Sequence, residues 1–162
     1  MSRSSVCVVT SSRADYYLLR PLLIKLSEDQ GLELSLVATG SHLSEALGNT
    51  VACIENDGFS IDRCIPILEE EDSRGSVERS FARAVVSFGE YFSERPCSLL
   101  IILGDRFEML AVASGICYYA IMFSHAGGLH YLLRLRLCEW GGGSYAEGFW
   151  QQEEDQPQQQ PV

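Results

Sequence analysis

The stretch Ser5-Val6-Cys7-Val8-Val9-Thr10-Ser11-Ser12-Arg13-Ala14-Asp15-Tyr16 decides the fold. Its first half is a short apolar run rich in valine, the pattern of a strand, and a leucine-rich helical pattern follows from Tyr17. Between them stand small residues and one arginine, at the point where a helix begins. Such a junction is built to hold phosphate. Backbone N–H groups at a helix start point outward, the helix dipole favours an anion, and a guanidinium closes on two oxygens at once. A second stretch, Leu99-Leu100-Ile101-Ile102-Leu103-Gly104-Asp105-Arg106-Phe107-Glu108, repeats the arrangement. There a buried-type strand delivers an acid and a base at its carboxyl end, again just before a helix.

Working outward, strands and helices alternate. Strands are predicted over 6–10, 32–38, 98–103 and 118–124, with a short extended piece over 59–67. Helices are predicted over 17–28, 44–56, 76–95 and 106–116. The first should bury Leu18, Leu19, Leu22, Leu23 and Leu26 on one face, with Pro21 tolerated in its first turn. Ser44 is the expected N-cap of the second, and Asp57-Gly58 ends it. The acidic run from Glu69 to Asp72 reads as a solvated loop, and Phe81, Phe88 and Phe92 read as core. The order β-α-β-α-β-α-β-α-β implies an α/β fold, a Rossmann-like parallel sheet with helices on both faces. Ligands of such sheets sit at the carboxyl ends of the strands, where both quoted stretches lie.

Composition bounds the function. The 162 residues suffice for one domain with its own core, and the net charge of −10 argues against nucleic-acid binding, which needs clustered Lys and Arg. Lys25 is the only lysine. The six cysteines (Cys7, Cys53, Cys64, Cys97, Cys117 and Cys138) form no CxxC pair and no zinc spacing. Several lie in apolar runs and are expected to be reduced and buried, which points to the cytoplasm. No run reaches the roughly 18 apolar residues of a membrane span, and Arg13 and Asp15 end the first apolar run too early for a signal peptide.

After about residue 125 the character changes. Tyr131 to Leu137 has no period, and Gly141-Gly142-Gly143-Ser144 is a spacer. Six of the seven glutamines fall in the last twelve residues. Residues 1–128 are read as one domain and 129–162 as a divergent tail with the composition of a disordered segment.

Taken together, Ser12-Arg13-Ala14-Asp15-Tyr16, Thr39-Gly40-Ser41-His42-Leu43, Gly48-Asn49-Thr50, Asp57-Gly58-Phe59 and Leu103-Gly104-Asp105-Arg106-Phe107-Glu108 resemble the N-terminal half of the hydrolysing UDP-N-acetylglucosamine 2-epimerases. The resemblance covers about residues 5–128. It implies the first of two Rossmann-like domains in a GT-B arrangement. It also implies conversion of UDP-N-acetylglucosamine and water to UDP and N-acetylmannosamine, in sialic-acid precursor synthesis and without a cofactor. The reaction needs a base for the C2 proton and an acid for the departing or adding oxygens.

Asp105 is the catalytic candidate; the same position suits a helix N-cap, and both roles are compatible. Ser12 and Arg13 are the candidates for the diphosphate, the alternative for Arg13 being a solvent-exposed cation. Asp15 reads as the N-cap of the following helix. His42 either lines the site or is a loop histidine without a role. Gly127 and Gly128 either keep the backbone close to the ligand or make a flexible exit. Arg106 reads as support for Asp105 or the scaffold, and Glu108 as a first-turn acid explained by the helix dipole. His125 and His130 lack a third ligand, so no metal is expected.

Where the family carries a His-x-His/Glu-Gly-Gly-Glu motif, this chain reads Ser124-His125-Ala126-Gly127-Gly128-Leu129. Two expected carboxylates are missing, and nothing after His130 resembles the family. The break reads as a truncated product with an altered frame or exon from about residue 118 to 129. Two functions follow: an epimerase fragment of low or no activity that binds UDP or UDP-N-acetylglucosamine, or a non-catalytic fragment that joins homo-oligomers or full-length epimerase subunits.

Overall fold

The computed structural model of the chain describes residues 3–69, 73–104 and 106–127, the last ten of these as backbone alone. The first strand, β1 (Ser4–Thr10), leads into α1 (Arg13–Glu28), β2 (Leu32–Thr39), a single 3-10 turn (Gly40–Leu43), α2 (Val51–Asn56) and β3 (Arg63–Ile65). Then come α3 (Arg74–Glu94), β4 (Leu99–Ile102) and α4 (Phe107–Gly127). The four strands are parallel in the order β3-β2-β1-β4, with Val8 paired to both Leu36 and Ile101. The chain therefore steps from β1 outward to β3, then returns to the other side of β1. The switch point of this doubly wound sheet lies between β1 and β4.

Alternation along β1 sends successive side chains to opposite faces. Val6 and Val8, with Leu36 and Ala38 of β2, pack against Tyr16, Leu19 and Leu23 of α1 and Ile54 of α2. Cys7 and Val9, with Val37 and Ile65, pack against Phe88, Tyr91 and Phe92 of α3 and Met109, Val112 and Ile116 of α4. Both faces of the sheet are covered, which is why β1 and β4 read as continuous apolar runs.

Several expectations are corrected. Helix α1 begins at Arg13, four residues earlier than predicted, because Ser12 caps it. The earlier start adds Tyr16 to a buried stripe with Leu19 and Leu23, while Leu18 is 64% and Leu22 40% exposed. It also moves Pro21 into the helix interior, where the Tyr17 carbonyl loses its partner. Pro21 is solvent-exposed, so that carbonyl is on the watered side. Helix α2 starts at Val51 rather than Ser44, because Gly48 (φ +95°) and Asn49 (φ +36°) take left-handed backbone that a helix cannot pass through.

The predicted strand over 118–124 is absent, and α4 continues to Gly127. Its sequence is apolar on every side, so periodicity does not separate strand from helix, and no proline interrupts it. Glu69 is no solvated loop residue: it accepts from Arg79 at 3.1 Å and from Arg83, while its N–H donates to Ser80 Oγ. The rest of the acidic run, 70–72, lies outside the described residues. Of the cysteines, Cys7 is buried but Cys64 is exposed, since β3 is the edge strand. Among the described residues all five are free thiols; Cys138 lies outside them. No helix among the described residues is long and apolar enough to cross a membrane.

Candidate functional site at the switch point

The carboxyl end of β1 is knotted to its neighbours through Ser11. Its carbonyl accepts from the Ser41 hydroxyl at 2.9 Å and from the His42 N–H at 3.3 Å, which ties the β1–α1 junction to the turn after β2. Its own N–H and hydroxyl donate to Asp15 Oδ2 at 3.3 and 2.7 Å. Ser12, not Asp15, is the N-cap: Ser12 Oγ accepts from the Asp15 N–H at 3.3 Å. Asp15 instead reaches back to Ser11, a reciprocal arrangement close to a capping box. Ser12 is 8% exposed with its hydroxyl committed to the helix, and Arg13, the first residue of α1, is exposed.

His42 is fully buried. Nε2 stands 3.0 Å from Thr10 Oγ1 and Nδ1 stands 2.6 Å from Thr50 Oγ1. Thr10 Oγ1 also donates to the Ser12 carbonyl at 3.4 Å, so the consistent assignment is an Nε2–H donating to Thr10 and a bare Nδ1 accepting from Thr50. Burial pushes the His42 pKa below its ordinary 6.5, against weaker opposing pulls from the Asp15 charge and the Ser12 backbone. Neutral His42 thus braces β1, the 3-10 turn and the start of α2 from beneath. Thr50 leaves α2 without a side-chain cap because its hydroxyl serves this ring.

Gly40 (φ +58°) admits no side chain. A Cβ there would stand 2.8 Å from the Ser11 carbonyl oxygen and 3.4 Å from Glu108 Oε1. The sequence reading explained Glu108 by the helix dipole alone and missed this contact. Glu108 is fully buried, its carboxylate under the end of β2, and Arg106 clasps it. Arg106 Nη2 and Nε donate to Oε1 at 2.8 and 3.2 Å, and Nε also approaches Oε2 at 3.3 Å. The signal available in the sequence was the i, i+2 spacing of arginine and glutamate at the carboxyl end of an apolar strand.

Asp105 lies outside the described residues; it is flanked by Gly104 (φ +106°) and Arg106. Gly128 also lies outside them. Gly127 closes α4, about 30 Å along the helix from Phe107. The structure therefore does not bring Gly127 to this crevice, because the predicted last strand is helix. The motif Asp57-Gly58-Phe59 has a structural explanation: Asp57 accepts from Tyr16 Oη at 2.8 Å and from Arg20 Nε at 2.8 Å, pinning α2 to α1. The Arg20 guanidinium and the Tyr16 hydroxyl hold the Asp57 carboxyl below its usual range. Beside the crevice, between the ends of β2 and β3, opens a cavity of about 600 Å³ lined by Gly40, Leu43, Ser44, Pro66 and Ile67. Among the described residues no three His, Cys, Asp or Glu side chains form a metal-binding group.

Fold and strand order define a class: a doubly wound α/β domain whose switch point lies between β1 and β4, with Arg13 and Arg106 in the segments that follow those two strands. Within that class, residues 24–130 match the model of the UDP-N-acetylglucosamine 2-epimerase family, and the chain belongs to that family. It is 39% identical over 128 residues to the GDP/UDP-N,N'-diacetylbacillosamine 2-epimerase (hydrolyzing) of Campylobacter jejuni, covering 79% of this chain and 33% of that protein. It is 35% identical over 123 residues to the polysialic acid biosynthesis protein P7 of Escherichia coli, covering 76% of this chain and 32% of that one. The fold matches a crystal structure of a UDP-N-acetylglucosamine 2-epimerase with a TM-score of 0.65 at 17% identity, over 75% of this chain and 31% of the other. The chain spans about a third of the length of the curated relatives it matches.

Proposed function

We propose that this chain is the nucleotide-gripping N-terminal part of a hydrolysing nucleotide-sugar 2-epimerase. Its proposed substrate is UDP-N-acetylglucosamine, with N-acetylmannosamine and UDP as products, in the cytoplasm and on the way to sialic acid. The observation that carries this reading is the convergence at one switch point of the Ser12–Arg13 helix start and the Arg106–Glu108 pair, within a chain of this family. The diphosphate lies at the α1 N-terminus, where backbone N–H groups and Arg13 meet it.

Loss of the C2 proton and rupture of the C1–oxygen bond to UDP give 2-acetamidoglucal. Water then adds its hydroxyl at C1 and a proton at C2 to give N-acetylmannosamine. Asp105 is the group proposed to carry one of these protons. Residues 1–128 form the domain and 129–162 a divergent tail. With Ser124 and Leu129 where family members hold a histidine and a glutamate, the 162 residues by themselves have little or no turnover.

UDP release from UDP-N-acetylglucosamine, followed by chromatography for wild type and Asp105→Asn, tests this. The expected result is no release from a chain that melts cooperatively. Release that the substitution abolishes would show that one domain suffices and would end the argument from missing carboxylates. Tyr17 and Leu18, 53% and 64% exposed beside each other on α1, favour a second reading, a non-catalytic fragment that joins full-length epimerase subunits. Co-expression with a tagged intact family member should then yield mixed oligomers, and failure to co-purify removes this reading.

A further inference from the structure

We propose that Glu108 is a positioning residue, which fixes the Arg106 guanidinium at the lip of the crevice as an anion clasp for the diphosphate of a nucleoside diphosphate. The ligand in this proposal rests on the nucleotide-sugar reading above. The Glu108 side chain is 0% exposed and that of Arg106 is 47% exposed. A ligand in the crevice therefore cannot touch Glu108 but can touch Arg106. Burying a carboxylate is costly, and an apolar residue of similar volume would hold this helix start at least as well. The pair is thus a poor stability device.

It is a good orienting device. Two Arg106 nitrogens meet one carboxylate, and that carboxylate is wedged against Gly40 and, through Gly40, the Ser11 carbonyl. The guanidinium is thereby held relative to Ser11 after β1 and Gly40 after β2. A lysine at the same place would be a point charge on a flexible stem, without the planar edge.

The test is calorimetric titration of the 162-residue chain with UDP and with inorganic pyrophosphate, for wild type, Arg106→Lys, Glu108→Gln and the double variant. Arg106→Lys keeps the charge on a half-exposed residue and so keeps the fold. It should weaken both ligands roughly tenfold, the loss of one charge-assisted contact. Glu108→Gln should weaken them similarly, and the double variant should be no weaker than Arg106→Lys alone. Contacting residues that act as one unit give such non-additivity, whereas a merely structural role for Glu108 gives additive losses. Unchanged pyrophosphate binding in Arg106→Lys, or additive losses, would overturn the clasp. So would a wild-type chain that binds neither ligand. A wild-type chain that binds pyrophosphate through Arg106 but gains nothing from the uridine would leave the clasp standing and sink the nucleotide-sugar reading instead.

Discussion

At the scale of single residues, the site rests on groups that face inward. His42 is the clearest: a histidine in a polar loop by sequence, a buried brace between Thr10 and Thr50 in the fold. Its depressed pKa makes a prediction. Folded His42 titrates below 6.5 and the unfolded chain near it, so on acidification the unfolded state takes up the proton first. The stability contributed by neutral His42 is fully present above about pH 6.5 and falls as pH drops toward the folded value. Wild type should lose more thermal stability than His42→Gln between about pH 7.5 and about pH 5.5. Equal losses would show that the ring carries no such linkage. That Arg13 and Arg106 stand where a strand end gives way to a helix was legible, because a short apolar run followed by a helical period marks such a junction. That Ser12 caps while Asp15 folds back to Ser11, and that Glu108 reaches Gly40, was not. The Glu108–Gly40 contact joins residues far apart in the chain, and among Ser11, Ser12 and Asp15, all within five positions, residue type and spacing leave open which one caps the helix.

At the scale of elements, two features of the helices can be tested. Pro21 interrupts α1 on its exposed side. Pro21→Ala should restore the bond to the Tyr17 carbonyl. It should stabilise the chain by about 2 kcal/mol, the penalty of an interior proline less the entropy that proline removes from the unfolded state. A drop in Tm would show that the fold needs the bend. Helices α3 and α4 meet at glycines, but unequally. A Cβ on Gly115 would stand 3.0 Å from the Gly89 nitrogen and 3.1 Å from the Val85 carbonyl oxygen, whereas one on Gly89 would find its nearest neighbour at 3.9 Å. Gly115→Val should therefore cost about 2 kcal/mol by overpacking, and Gly89→Ala should be neutral or stabilising. Denaturant melts of the two variants check this, and equal effects would contradict the close approach. Strands β1, β2 and β4 were legible as short bounded apolar runs and α3 as a clear helical period, whereas the strand predicted over 118–124 is helix. The start of α2 and the length of α4 were not. The first depends on left-handed backbone at Gly48 and Asn49, and the second on an all-apolar run that fits either period.

At the scale of the molecule, the sheet order places the two quoted stretches side by side although about ninety residues separate them. That adjacency could be argued from alternating strands and helices alone. The activity of the whole protein could not, since the chain spans about a third of the length of the curated relatives it matches. The proposed function holds the nucleotide's diphosphate at the switch point between β1 and β4. Amide chemical-shift mapping of the ¹⁵N-labelled chain during UDP titration tests it most directly. Saturable shifts are expected at the amides of Ser11 to Asp15 and Gly104 to Glu108, reproduced in part by pyrophosphate. Saturable shifts confined elsewhere, around the cavity at Leu43 and Pro66 for instance, would contradict it.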